Sequence, residues 1–286
     1  MPRIVTVMWC AVLVTVLAGC QPGPADPGTS GGPGTRSAPA AGWAAVRVDI
    51  GRYDLNLDCR GSGSPTIVFE NGLGDNLGTW FQTGVSGAFP SSRTCAYDRV
   101  NTGTSDRVPA RHTGTDSVRD LHDLLRAAAV PGPYVLIGHS FGGLLAAMYA
   151  GTHPAEVAGL VLIDPTLPSQ AELYDLIPEG ERAAARAGDE RNAENVNFAD
   201  TLERATPLVA RIPAVPVCVL AATRLGDLPP SWPAADILAA RRKALQDFVA
   251  HFPRGRLRYV ESGHYIQTEQ PEIVIGEIQR MLGTVR

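Results

Sequence analysis

The segment 134–152 restricts the fold more than any other part of the chain. Its first residues, Tyr134–Gly138, are apolar and predict a buried strand. The motif G-x-S-x-G follows at Gly138, Ser140 and Gly142, and the small residues of Phe141–Thr152 predict a helix directly after it. Glycines two residues to either side of Ser140 permit a sharp turn that lifts its hydroxyl above the sheet. This strand, turn and helix make Ser140 a candidate nucleophile.

The remaining chain from about residue 43 to 286 alternates between strand and helix patterns. Seven further strands are predicted, at Val46–Ile50, Tyr53–Cys59, Thr66–Glu70, Thr94–Tyr97, Gly159–Ile163, Val217–Ala222 and Leu257–Val260. Helices are predicted over Ser117–Ala129 and from Pro271 onward, since proline favours the first helical position. Apolar strands alternating with helices indicate one α/β domain with a mainly parallel sheet, covered on both faces.

Residues 171–205 interrupt this alternation. They are rich in Ala, Glu and Arg and have helical propensity, yet they separate two strands that a much shorter crossover could join. We therefore predict a small helical lid over about residues 166–210. The acidic residues of this segment are interpreted as a solvated face.

The first 42 residues predict export and a membrane tether. Ile4–Ala18 is an apolar stretch of signal-peptide length, and Leu17-Ala18-Gly19-Cys20 resembles the lipobox of bacterial lipoprotein signals. The resemblance implies a signal peptide over residues 1–19, a lipid on Cys20, and a location on the extracytoplasmic side of the cell membrane. An ordinary secretory signal is the alternative. Residues 21–42 are rich in Pro, Gly, Ser and Thr and predict a linker.

Composition excludes several other classes of protein. The chain has 25 Lys and Arg residues against 29 Asp and Glu residues, a net charge of −4, which gives no electrostatic basis for binding nucleic acid. Its only lysine, Lys243, follows no glycine-rich loop, which excludes a P-loop. A single lysine also argues against Schiff-base chemistry. No metal-ligand spacing is present, and neither a metal nor a cofactor is predicted.

The elbow around Ser140 and three further motifs resemble the α/β-hydrolase family, and more closely its bacterial serine esterase-like branch. The motifs are Asn71-Gly72-Leu73-Gly74, the turn from Tyr97-Asp98-Arg99 to Ser105, and Ser262-Gly263-His264. The resemblance implies an eight-stranded, mostly parallel sheet with a helical lid. It also implies an oxyanion hole formed by the backbone amides of Leu73 and Phe141.

A serine nucleophile needs a base and an acid. His264 lies just past a strand near the C-terminus, where the family's chain order places its base. For the acid we favour Asp164, which ends a strand, over Asp227, which lies two residues beyond the family's usual position. Asp98 is interpreted as a structural partner of an arginine or of backbone amides. His139 lies inside the elbow, and its side chain is expected to point away from that of Ser140. The remaining histidines are interpreted as surface or structural residues: His112, His122, His153 and His251.

Three cysteines lie beyond the predicted lipidation site. In the strand order that the resemblance implies, the end of the second strand meets the start of the fourth, which predicts a disulfide between Cys59 and Cys95 in an exported protein. Cys218 lies within an apolar strand and is predicted to be a buried free thiol.

Together these features predict a serine hydrolase that cleaves a small-molecule carboxylic ester through an acyl-enzyme on Ser140. Three other activities on the same scaffold, those of an amidase, a C–C bond hydrolase and a peptidase, remain as alternatives because specificity depends on the lid and pocket. A lipoprotein that keeps the fold as a non-catalytic binding module is a further alternative.

Overall fold

The computed structural model describes residues 45–285. The predicted signal peptide, Cys20 and the linker lie outside the described residues, so these predictions stay predictions. Within the described part of the chain, no helix is both long enough and apolar enough to cross a bilayer.

Eight strands form one sheet in the order β1-β2-β4-β3-β5-β6-β7-β8. Their bounds are β1 Val46–Asp49, β2 Asp54–Arg60, β3 Thr66–Glu70, β4 Thr94–Asp98, β5 Tyr134–His139, β6 Val157–Ile163, β7 Val217–Ala222 and β8 Gly255–Val260. β2 runs antiparallel to both β1 and β4, and every other pair of neighbours is parallel. The predicted mostly parallel sheet is confirmed.

Helices cover both faces of this sheet. The α-helices are α1 Gly78–Gln82, α2 Gly114–Ala127, α3 Phe141–Thr152, α4 Glu179–Glu190, α5 Phe198–Val209, α6 Ala234–Ala250, α7 Ile266–Glu269 and α8 Pro271–Val285. Apolar residues of α2, α3, α5 and α6 pack into one core, and those of α1 and α8 into a second core on the opposite face. Strands buried on both sides explain the continuous apolar runs in the sequence.

The ends of the elements differ from the predicted ones by a few residues. α2 begins at Gly114 rather than Ser117, because Thr113 and Asp116 form a capping box in which each side chain accepts from the other's backbone amide. β8 begins two residues before the predicted Leu257. α6 and the short helices α1 and α7 were not predicted.

Between β6 and β7 the chain forms a 3₁₀ helix, Pro168–Leu176, followed by α4 and α5. We call residues 168–209 the inserted segment. Part of it packs with the start of α6 in a separate small core around Ile177, Trp232 and Ile237. The inserted segment therefore lies in the region where the sequence predicts a helical lid.

The structure contains the predicted disulfide between Cys59 and Cys95. These two residues are directly paired in the antiparallel register of β2 and β4, with their Cα atoms 4.1 Å apart. Cys218 is a buried free cysteine, as predicted.

Candidate active site

Ser140 lies at a tight turn between β5 and α3. Its backbone has φ 53° and ψ −121°, a strained conformation for a residue other than glycine. The turn requires glycine at both flanking positions. A Cβ atom at Gly142 would lie 2.4 Å from the carbonyl oxygen of Asn71, and one at Gly138 would lie 2.4 Å from the carbonyl oxygen of Gly142, and both distances are too short. The G-x-S-x-G spacing thus has a steric cause in this chain, and it brings α3 against the loop after β3.

His264 is oriented by Asp164. Nδ1 of the imidazole lies 2.7 Å from Oδ2 of Asp164, although the two residues are 100 positions apart in sequence. Nε2 of the same ring is buried and makes no hydrogen bond within residues 45–285. A carboxylate at Nδ1 fixes the tautomer in which Nδ1 carries the proton and Nε2 can accept one.

A third group, Arg241 on α6, holds the other oxygen of Asp164. Oδ1 accepts a hydrogen bond from the guanidinium of Arg241 and another from the amide of Ala222, at 2.7 Å. Burial alone would raise the pKa of Asp164, but the charge of Arg241 and the hydrogen bond with His264 hold it well below its usual range. Asp164 is therefore ionised at neutral pH. The sequence analysis did not identify Arg241.

Asp227, the other candidate acid, occupies a different environment. It is exposed in the loop after β7, and its carboxylate makes no hydrogen bond or ion pair in the described part of the chain. The neighbouring Leu225 packs toward the small core of the inserted segment instead. The structure thus pairs His264 with Asp164 and not with Asp227.

The loop that carries Leu73 is fixed by the buried side chain of Arg99. Nη1 of Arg99 donates to the carbonyl oxygen of Asn71 and Nη2 to that of Gly72, both at 2.7 Å. These bonds hold the backbone just before Leu73. Because Gly142 packs against Asn71, the Leu73 amide and the first amide of α3, that of Phe141, lie on adjoining segments. Both candidate oxyanion donors are thereby built into one corner of the site.

Glu194 of the inserted segment supports the same loop from the other side. Its carboxylate accepts from Nε and Nη2 of Arg99, at 2.8 and 2.6 Å, and from the amide of Gly74 at 2.6 Å. Glu194 is 1% exposed. The interpretation of the acidic residues in this segment as a solvated face is therefore wrong for Glu194, since a buried arginine needs a buried acid.

Arg99 also faces a second carboxylate, that of Glu70, at 3.1 Å. Two buried acids around one guanidinium leave an excess of negative charge, and burial raises the pKa of Glu70 to about 7. Tyr97 donates its hydroxyl proton to the same carboxylate at 2.5 Å. Asp98 takes no part in this cluster and accepts from the amides of Leu77 and Thr104, as its structural interpretation predicts.

His139, the residue before Ser140, contacts the segment that carries His264. The centroids of the two imidazole rings are 4.6 Å apart. Nε2 of His139 lies 3.0 Å from the carbonyl oxygen of His264, and because a carbonyl only accepts, this nitrogen is the donor. Asp75 faces Nδ1 of His139 at 3.7 Å. His139 therefore ties the elbow to the loop of His264, a role that the sequence analysis missed.

The comparisons with known proteins agree with this architecture. The family model described as alpha/beta hydrolase fold matches residues 65–212, which is more than half of the chain. The chain belongs to this family.

Two curated relatives and one solved structure illustrate the similarity. An uncharacterized protein of Bacillus subtilis, YqjL, is 34% identical over 122 residues, covering 42% of this chain and 47% of that protein. The 2-(acetamidomethylene)succinate hydrolase of Mesorhizobium japonicum is 32% identical over 131 residues, 46% of either chain. The matches thus span about half the length of these relatives. A crystal structure of E-2-(acetamidomethylene)succinate hydrolase has a TM-score of 0.61 at 22% identity, covering 85% of this chain and all of that chain.

Proposed function

We propose that this protein is a serine hydrolase that cleaves carboxylic esters through an acyl-enzyme on Ser140. The observation that carries the proposal is the imidazole of His264, which has Nδ1 held by Asp164 at 2.7 Å and a buried Nε2 that makes no hydrogen bond to any described residue. A serine hydroxyl is a weak nucleophile until a base takes its proton. An oriented imidazole beside a nucleophile elbow supports that role, and membership of a hydrolase family supports it independently.

In the proposed reaction, Nε2 of His264 removes the hydroxyl proton as Oγ of Ser140 attacks the ester carbonyl. The amides of Leu73 and Phe141 donate to the oxyanion of the tetrahedral intermediate, and each such donor contributes on the order of 10²–10³ in rate. The intermediate expels the alkoxide, which takes the proton from Nε2. Water then attacks the acyl-enzyme with His264 again as base, releasing the carboxylic acid and restoring Ser140.

A fluorophosphonate probe tests the proposal, because it reacts only with a serine that an intact site activates. We expect labelling at Ser140 that is lost in Ser140→Ala and in His264→Ala, and kept in Ser91→Ala, which changes an exposed serine. A series of p-nitrophenyl esters of increasing chain length then measures acyl preference. A folded protein that neither takes up the probe nor hydrolyses any of these esters would be a binding module, contrary to the proposal.

Cleavage of an amide bond is the second candidate. It is favoured by the name of the Mesorhizobium relative, whose substrate is an acetamidomethylene compound. A pair of substrates with one acyl group, a p-nitrophenyl ester and the matching p-nitroanilide, distinguishes the candidates. An anilide kcat/KM close to that of the ester would favour amide cleavage, because amides are intrinsically the less reactive class.

We further propose that the protein is exported and anchored by a lipid on Cys20. The supports are the apolar stretch Ile4–Ala18 and the sequence Leu17-Ala18-Gly19-Cys20. Incorporation of an alkynyl fatty acid in bacterial cells tests this, with Cys20→Ser expected to abolish labelling. Cys10→Ser is the matched control, because Cys10 lies inside the apolar stretch. Equal labelling of Cys20→Ser and the unaltered protein would refute the anchor.

A further inference from the structure

A cavity of about 320 Å³ opens at the amino ends of β7 and β8. Its lining includes Cys218 at the start of β7, Arg254 and Arg256 around the start of β8, and Glu277 and Arg280 of α8. Asp164 and His264 follow the carboxyl ends of parallel strands, so the cavity lies at the opposite edge of the sheet. Strands of six residues separate the two edges by roughly 20 Å. The proposed reaction uses none of these residues.

The cavity is strongly positive. Arg256 and Arg258 occupy alternate positions of β8 and reach the same carboxylate, that of Glu277, while Arg280 approaches it from one turn further along α8. Arg258 lies 2.8 Å and Arg280 3.3 Å from this carboxylate, whose side chain is fully buried. Glu277 is the one acid among the lining residues within the described part of the chain. Three guanidinium groups, those of Arg254, Arg256 and Arg280, line the cavity beside this one carboxylate, an excess of two positive charges.

Arg254 distinguishes this cluster from a closed structural network. Its side chain lines the cavity but makes no hydrogen bond or ion pair within residues 45–285. The other two lining arginines, Arg256 and Arg280, also keep unused donors, because a guanidinium has five N–H groups and their side chains are 44% and 63% exposed. The cavity thus presents several guanidinium donors to an incoming group, and its buried acid is already neutralised.

We propose that this cavity binds a phosphate group. Planar guanidinium groups donate in pairs to the oxygens of a phosphate, which is why arginine rather than lysine forms such sites. A phosphate monoester, with a charge of about −1.5 to −2 at pH 7, would offset most of the excess, and a phosphodiester headgroup, with one negative charge, would offset part of it. The volume is within the range of small-molecule sites and admits a small organic substituent on the phosphate, such as glycerol.

Two sources supply this chemistry, a soluble phosphate monoester and the headgroup of a phospholipid. A headgroup would hold the amino edge of the sheet against a membrane, so Ser140 at the carboxyl edge would face away from it. The two sources differ in one measurable respect, because only the headgroup requires a bilayer.

Calorimetric titration of the full chain with inorganic phosphate and with glycerol phosphate is the first experiment, and binding to vesicles is the second. The vesicles are phosphatidylcholine with or without phosphatidylglycerol. Arg254→Ala is the test variant, because the side chain of Arg254 has no partner among residues 45–285 whose loss could unfold the chain. Arg126→Ala, which changes an exposed arginine of α2, is the matched control. Unchanged melting temperatures confirm that both variants fold.

We expect Arg254→Ala to weaken binding roughly tenfold or more and Arg254→Lys to restore part of it, with Arg126→Ala unchanged. An effect on the soluble phosphates identifies a soluble ligand. If Arg254→Ala weakens only the preference for vesicles that contain phosphatidylglycerol, the ligand is a headgroup. The N-terminal segment cannot cause this difference, since it is the same in every variant. Binding that is absent throughout, or equally reduced by Arg126→Ala, would overturn the proposal. Ester hydrolysis is not the readout, so this result is independent of the proposed reaction.

Discussion

Replacement of Asp164 by asparagine tests the proposed catalytic machinery most directly. Two donors, the amide of Ala222 and the guanidinium of Arg241, point at Oδ1, so the amide oxygen of an asparagine would take that position. Its NH₂ group would then face Nδ1 of His264 across the present 2.7 Å contact. That nitrogen would have to accept a hydrogen bond, which moves the ring proton to Nε2. The ring could then no longer receive the proton of Ser140.

The expected loss follows from the wrong tautomer and the missing negative charge. An asparagine in this position of a serine triad lowers kcat by about 10⁴, equivalent to about 5.4 kcal/mol of transition-state stabilisation. Stability should also fall, because Arg241 is 14% exposed and would lose its acidic partner. Removing one member of a buried ion pair costs about 3 kcal/mol. These two losses have separate causes and can be separated by a second substitution.

The assay compares kcat for p-nitrophenyl acetate with the melting temperature in four proteins. They are the unaltered chain, Asp164→Asn, the double variant Asp164→Asn/Arg241→Gln, and Asp227→Asn. The double variant removes the unpaired charge, so it should recover stability but no activity. Asp227→Asn should leave both quantities unchanged because its carboxylate is exposed and has no partner in the described residues.

Two results for the single variants would refute this reasoning, and a third concerns the double variant. One is a folded Asp164→Asn protein whose kcat falls less than about tenfold, because an amide in that position cannot hold the required tautomer. The other is a large loss of activity in Asp227→Asn, which would assign the acid to the loop after β7. Recovery of activity in the double variant would also contradict the argument, since stability would then be the sole cause of the loss.

Three further predictions concern stability and positioning. The pKa of Asp164 lies below its usual range in the folded protein. The contribution of this carboxylate to stability is therefore present above about pH 4 and is lost as the pH falls further. Between about pH 5 and pH 3, the melting temperature should drop less in Asp164→Asn than in the unaltered protein. His139→Leu removes the donor to the backbone of His264, the proposed base, and should lower kcat by about 10- to 100-fold with a smaller change in KM. His139→Gln should recover part of this loss if a donor is what matters. Replacing Cys59 and Cys95 together by serine removes the disulfide, whose cysteines are 36 positions apart in sequence. The free energy of unfolding, measured by chemical denaturation, should fall by roughly 4 kcal/mol. Cys218→Ser is the control.

The sequence predicted those parts of the site that local patterns mark. Ser140 lies between two glycines, Gly138 and Gly142, at positions where a Cβ atom would clash with the backbone. Asp164 and His264 each follow a strand, at the edge of the sheet where catalytic groups collect. The disulfide followed from the strand order that the family resemblance implies, together with the predicted export. The helix α6 was not predicted, because the segment before it contains several prolines and its apolar residues show only a weak helical face.

The supporting residues could not be predicted because only tertiary packing distinguishes them. Arg241 and Arg242 are adjacent on α6, yet one holds Asp164 and the other lies over the ring of Tyr259. Glu194 belongs to a segment with many acidic residues, and no local pattern separates it from the exposed ones. A signal existed in principle, since a buried Arg99 requires an acid. The sequence does not say which acid arrives.

Glu194 accepts hydrogen bonds from both Arg99 and Gly74, and this limits how the substrate range of this protein can be redesigned. Exchanging the inserted segment for that of a relative is an obvious route to new specificity, because part of the segment packs in a separate small core. Such a chimera would delete the acid that neutralises Arg99 and holds the loop before and after Leu73. A chimera that carries an equivalent glutamate should keep the kcat of the unaltered protein. A chimera without it should fold, but the loop that carries Leu73 should be less firmly held. If the proposed function holds, one carboxylate connects the segment that would shape substrate range with the loop that carries Leu73.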